Sequence, residues 1–148
     1  MSGEIDCCWL AWFAGFVDGE GSVNISGSTQ QVGFCVCNMH RPTIEEIQAH
    51  LGGRLSVKST GRQRPIYYLY WKVHEAVEVL KMIEPFLVTK KRQAQLIISY
   101  PFLACGKHPV PPEVRARRRE IVDEIRVLKQ SPTWRQKRTW SQASNSLS

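Results

Sequence analysis

The chain has 148 residues, 43% of them hydrophobic, and its 20 Lys plus Arg against 13 Asp plus Glu give a formal net charge of +7 and a pI near 9.4. That length suits one domain burying about two-thirds of its unfolded surface, and the positive surplus points to a polyanionic partner. Five cysteines (Cys7, Cys8, Cys35, Cys37 and Cys105), odd in number and adjacent or alternating, fit neither a disulfide framework nor zinc knuckles. With no apolar run of ~18 residues and no secretory pattern at the start, the expectation is a soluble, intracellular protein with no membrane partner.

Trp9, Leu10, Phe13, Phe16 and Val17 recur at helical spacing and predict a helix over 9–18, stopped by Gly19 and Gly21. From Glu20 to Ser28 the period falls to two, with Val23 and Ile25 set against Ser22, Asn24 and Ser26. A turn at 27–29 leads back through Val32, Phe34 and Val36, which alternate with Gln31, Gly33, Cys35 and Cys37. Pro42 and Thr43 open a second helix, with Ile44, Ile47 and Leu51 on one face and Gly52-Gly53 at its end. Arg54, Ser56, Lys58 and Thr60 then alternate with Leu55 and Val57, and a turn carrying Arg62 and Arg64 leads into "IYYLYWKV". There Tyr67, Leu69, Trp71 and Val73 share one face, and Tyr68, Tyr70 and Lys72 the other. Helical spacing in Val77, Leu80 and Ile83 stops at Pro85 and resumes over 89–100.

Prolines 101, 109, 111 and 112 form a connector to a basic amphipathic helix over 113–129, with Val114, Ile121, Ile125 and Leu128 inside. From Lys107 onward ten basic residues face four acids, the composition of a phosphate-contacting segment. Residues 131–148, polar and Ser-rich, are expected to lack fixed structure, so the reading is one domain over 1–130 and a polar basic tail over 131–148.

Helix, two strands, helix, two strands and helices make an α+β pattern, expected as a four-stranded antiparallel sheet with helices on its apolar face. The wet face collects Ser22, Asn24, Ser26, Gln31, Arg54, Lys58, Tyr68, Tyr70 and Lys72, with Arg62 and Arg64 at the adjoining turn. Those side chains suit contacts to base edges and phosphates.

The first helix ends in Asp18 and Glu20, where the partial negative charge of a helix C-terminus disfavours carboxylates. Ala11, Gly15 and Gly19 lie four apart, with Ala14 beside them, a small-residue stripe that suits close approach of another helix, either within one subunit or from a second copy. Across a two-fold axis, two Glu20 carboxylates and the unpaired helix-end carbonyls would meet. Such a cluster calls for hard divalent cations, Mg²⁺ first, and paired metals hydrolyse phosphodiesters. Cys35 and Cys37 read as small fillers on the sheet surface, and His40, His50, His74 and His108 show no ligand spacing.

"FAGFVDGEG", Phe13 to Gly21, resembles the LAGLIDADG motif of the homing endonucleases, identical at Ala14, Gly15, Asp18 and Gly21 and with Glu20 for the last acid. The element order over 9–100 is similar to that family's, and "PFLVTKKRQAQLI", Pro85 to Ile97, resembles the stretch before its late helix. The resemblance implies an αββαββα core with a saddle-shaped sheet and an intron-encoded, site-specific endodeoxyribonuclease. With one motif per chain, it implies a homodimer making a double-strand cut in a palindromic or near-palindromic DNA duplex.

It further implies Glu20 and the Gly19 carbonyl as metal ligands, Mg²⁺ or Mn²⁺ as cofactor, and Lys90 and Asn38 as catalytic residues near the scissile phosphate and its water. Arg41 and Gln93 are weaker candidates. Ala11, Ala14, Gly15 and Asp18 are implied at the dimer interface. The setting would be an organelle or a microbial or phage cytoplasm. Two other readings remain: an RNA-splicing maturase or non-cleaving nucleic-acid-binding protein of the same fold, and a metal-free dimer with a basic anchor.

Overall fold

The computed structural model describes residues 3–26, 31–59, 61, 63–102 and 109–130. Helix α1 (Cys7–Glu20) passes directly into strand β1 (Gly21–Ile25), which pairs with β2 (Val32–Asn38). Helix α2 (Arg41–Leu51), the hairpin β3 (Arg54–Lys58) and β4 (Ile66–Trp71), and α3 (Val73–Ile83) follow. A 3-10 turn (Glu84–Phe86) leads to α4 (Lys91–Ile98), and α5 (Pro112–Lys129) ends the described chain. The four strands form one fully antiparallel sheet in the order β1-β2-β4-β3, as the alternating patterns predict. The Arg62 position and the 131–148 tail lie outside the described residues.

Where boundaries differ from the sequence reading, a local hydrogen bond explains the shift. Helix α1 starts at Cys7, not Trp9, because the Asp6 carboxylate accepts from Cys8 N at 3.1 Å and satisfies one of the helix's free N–H groups. It also runs through Gly19 to Glu20, since a hydrogen bond from Gly21 N–H to Val17 O closes its last turn. Helix α3 begins at Val73, which the pattern placed in the strand, because Glu75 Oε2 accepts from Lys72 N at 3.0 Å. Helix α2 does end at its two glycines, where φ of +67° and +97° at Gly52 and Gly53 is open to glycine at little steric cost.

The helices cover one face of the sheet. Phe13, Ala14 and Val17 of α1 pack with Ile44 and Ile47 of α2, Leu80 and Ile83 of α3, and Leu96 and Ile97 of α4 against Val23, Phe34, Val36, Leu69 and Trp71. Ile121, Val122 and Ile125 of α5 close the same core. Phe13 and Phe34 flank Trp71, with ring centroids 6.1 and 4.7 Å away, and Trp71 Nε1 donates to Leu51 O at 3.0 Å. Ala14 is fully buried here, which corrects its assignment to an interface: it packs inside its own subunit.

The join between α1 and β1 fixes where the acids sit. Gly21 N–H donates to Val17 O and closes the last turn. A Cβ on Gly21 would lie 2.7 Å from that same oxygen and 3.0 Å from Val17 Cα. Since backbone stands in the way, Gly21→Ala is expected to destabilise the fold by about 1–3 kcal/mol, measured by urea unfolding; an unchanged midpoint would show that the turn can relax.

Candidate active site and nucleic-acid interface

Glu20 is the last residue of α1 and is exposed. Three carbonyls at this helix end have partners: Val17 O takes Gly21 N, Asp18 O takes Lys90 Nζ at 2.5 Å, and Glu20 O receives Cys37 Sγ at 3.9 Å. Gly19 O has no hydrogen-bond partner among the described residues. An exposed carboxylate beside a free carbonyl is a hard, anionic oxygen pair, the donor type that Mg²⁺ or Mn²⁺ prefers. One chain supplies only part of a coordination shell. Among the described residues the one group of three close potential ligands is Asp6, Cys7 and Cys8, at the opposite end of α1, roughly 20 Å away by helix rise.

Asp18 does something the sequence reading did not foresee. Its two carboxylate oxygens accept from Val88 N and Lys90 N, both at 2.8 Å. It therefore clamps the start of α4 onto the end of α1, joining segments 70 residues apart in sequence. Both oxygens are thus engaged within the chain. Asp18→Ala is expected to cost about 2 kcal/mol through loss of these charge-assisted bonds, read as a lower urea midpoint, with Lys90 released from the site.

The clamp holds Lys90 beside Glu20. Burial pushes the Lys90 ammonium below the ordinary lysine range, while the Asp18 and Glu20 carboxylates pull it back up. Cys37 lies at the same place, its thiol raised first by burial and then by the Glu20 carboxylate. It is a neutral neighbour of the acid at pH 7, a proximity that strand alternation alone gave no means of finding. Asn38 closes β2 next to Cys37, whose Sγ lies 3.9 Å from Glu20 O. Its Oδ1 accepts from His40 N at 2.8 Å, which leaves the amide NH₂ available. Arg41 is paired with Glu45 at 2.6 Å, and Gln93 is half-buried on α4.

The uncovered face of the sheet carries the predicted polar set in register. One row crosses all four strands as Ser22, Cys35, Tyr70 and Arg54, and the next runs Cys37, Tyr68 and Ser56. Lys58 Nζ lies over the Tyr68 ring, 4.7 Å from its centroid. Gln31, Arg64, Tyr70 and Lys72 are exposed, and Ser26 and Asn24 are half-buried. Arg54 is the exception: its Nη1 is buried without a hydrogen bond and sits 3.8 Å from Glu75 Oε2, which ties it to the first turn of α3. Burial raises the Cys35 thiol, so both cysteines on this face are neutral fillers.

The basic helix α5 is less free than its charge suggested. Arg117, Arg126 and Arg92 of α4 pair with Glu120, Asp123 and Glu124, and Arg118 donates to Pro101 O. Arg119 and Lys129 keep no such partner among the described residues.

A second exposed surface is apolar. Ala11, Gly15 and Gly19 face solvent along α1, Trp12 beside them is 45% exposed, and a Cβ on Gly15 or Gly19 would touch nothing within 4 Å among the described residues. Phe86 and Val88, the latter 83% exposed, lie next to this face through the Asp18–Val88 bond. The sequence reading found the small residues but not these larger ones.

No protein-family model and no curated protein matches the sequence. Solved structures do resemble it. The homing endonuclease I-CvuI in complex with its target is 23% identical over 82% of each chain, with a TM-score of 0.58. The archaeal intron-encoded homing endonuclease I-Vdi141I complexed with DNA is 20% identical over 82% of this chain and 84% of that one, with a TM-score of 0.62. I-CvuI was solved with calcium present and, on an uncleaved second target, with magnesium present. The chain therefore has the LAGLIDADG homing-endonuclease fold. No helix among the described residues is long and apolar enough to cross a membrane.

Proposed function

We propose that this protein is a site-specific DNA endonuclease that works as a homodimer with a divalent metal. The observation that carries the reading is the Asp18 clamp, which brings Lys90 to the helix end that carries Glu20 and the free Gly19 carbonyl. A clamp that sets a half-buried ammonium beside an exposed acid is local electrostatic preorganisation of the kind active sites use. The acid at a helix C-terminus, unfavourable by itself, makes sense if a cation and a phosphate complete the site.

Residues 1–130 would form the nuclease unit. In each subunit the polar sheet face lies in the major groove of one half-site, with Lys58, Tyr68, Tyr70 and Lys72 toward bases and phosphates and Arg64 at the edge. The exposed Ala11, Trp12, Gly15 and Gly19 face, continued by Phe86 and Val88, packs against its own copy and brings two Glu20 residues together. Glu20 and Gly19 O would hold Mg²⁺ or Mn²⁺, which supplies charge neutralisation at the phosphate and an acidified water. Lys90 donates toward the scissile phosphate, and the Asn38 amide orients the attacking water. The intron-encoded origin of I-Vdi141I suits this chain as well.

The test is incubation with a randomised DNA duplex library in Mg²⁺ or in EDTA, followed by sequencing of the cut ends. A small family of near-palindromic sites cut only with metal is expected; retention of DNA or RNA without cutting would make this a binding protein. Gly15→Leu should leave the fold intact, because a Cβ there meets nothing within 4 Å among the described residues, and should convert a dimer to a monomer by light scattering. A dimeric Gly15→Leu would remove α1 from the interface.

A further inference from the structure

We infer that Asn24 is a pre-aimed reader of adenine, tied to Ser22 and given room over the sheet by the side chain that Gly33 lacks. The inference rests on the proposed function and adds the identity of one base to it.

Asn24 and Gly33 are direct partners across β1 and β2. Gly33 is not among the described glycines with positive φ, so its backbone conformation does not call for glycine. A glycine inside a strand weakens it and often marks a close approach. Here the approaching group is Asn24: a Cβ on Gly33 would lie 2.4 Å from Asn24 Oδ1 and 3.2 Å from its Cγ. The amide thus occupies the space a side chain at 33 would fill. On its other side Asn24 Nδ2 donates to Ser22 Oγ at 2.9 Å, two residues back on the same face. The amide is therefore tied to Ser22 and lies in the space over Gly33 before any ligand arrives.

Nδ2 has a second hydrogen beyond the one given to Ser22, and Oδ1 accepts from no described residue. That donor and acceptor pair matches the N7 acceptor and N6 amino donor that adenine presents in the major groove. Fixing the side chain in advance lowers the ordering cost of the contact. Cys35, opposite Ser22 and half-buried with a neutral thiol, offers no competing amide. In a two-fold dimer the same reading occurs once per half-site.

Binding selection from a random duplex library, sequenced after several rounds, tests this with the full-length wild type and Asn24→Ala, Gly33→Ala and Ser22→Ala. The wild type should select A·T at one symmetric pair of positions. Asn24→Ala should lose that preference by roughly 5- to 150-fold while other positions hold. Gly33→Ala should lose it at the same positions, because its new methyl meets the movable end of a side chain, and should keep the wild-type thermal midpoint and salt slope. Ser22→Ala should weaken it partially.

If Asn24→Ala and Gly33→Ala select the wild-type site unchanged, the inference is wrong although the protein still reads DNA. If Asn24→Ala changes a G·C position instead, the adenine assignment is wrong. If Gly33→Ala relaxes every position alike or lowers the thermal midpoint, glycine serves packing and the inference falls. If the wild type selects no sequence, the site-specific reading itself fails and takes the inference with it.

Discussion

Glu20→Gln is expected to reduce metal-dependent strand cleavage by about 10²- to 10³-fold or more, with target affinity retained or slightly raised. Gln has the same shape and keeps one carbonyl oxygen, but it removes the charge that makes this helix end attractive to a hard cation. Glu20 is exposed and its side chain makes no hydrogen bond among the described residues, so stability should change by less than about 0.5 kcal/mol. Removing a carboxylate near phosphates also relieves repulsion, which is why binding should survive. Single-turnover cleavage and gel retardation on the selected site read the two effects separately. A variant that cuts normally would leave Glu20 without a role in metal binding, even if the chain is a nuclease.

Lys90→Met comes second, with an expected loss of about 10²-fold in the cleavage rate and little change in affinity. Met fills the half-buried channel of the lysine stem while removing the ammonium that bonds Asp18 O. The pH dependence follows from the direction of the shift. Burial lowers the Lys90 pKa, so the cation is lost at a lower pH than for a free lysine, and cleavage that depends on that charge should fall on the alkaline side. Lys90→Arg, always charged, should push the fall to higher pH. Linkage runs the same way: with a folded pKa below the unfolded one, protonated Lys90 opposes folding below the folded pKa, and that penalty is relieved as pH rises toward the unfolded value. An alkaline limb identical in wild type and Lys90→Arg would assign it to another group.

The sheet and its two faces were legible because period-two alternation survives translation into structure wherever one face is buried. Val23, Phe34, Val36 and Leu69 went inward as their spacing required. The acid motif was legible because carboxylates at a helix C-terminus violate a local rule, and such violations gather at functional sites. What could not be read is long-range: Asp18 joins Val88 and Lys90 across 70 residues, and no local pattern announces a backbone donor that far away. Ala14 shows a second limit. Its small size groups it with Gly15, yet neighbouring helix positions point about 100° apart, so Ala14 enters the core with Phe13 and Val17 while Gly15 stays outside. Arg54 shows a third, since its charge looked free until α3 brought Glu75 alongside.

In the proposed dimer one cutting site needs two chains. Co-expressing wild type with Glu20→Gln in varied proportions and measuring double-strand cutting of the selected duplex tests this. If both chains must supply Glu20, activity at equal proportions falls to about one quarter of the wild-type value, following the square of the wild-type fraction. A fall to about one half, linear in that fraction, would mean that each chain cuts alone and would contradict the two-chain site.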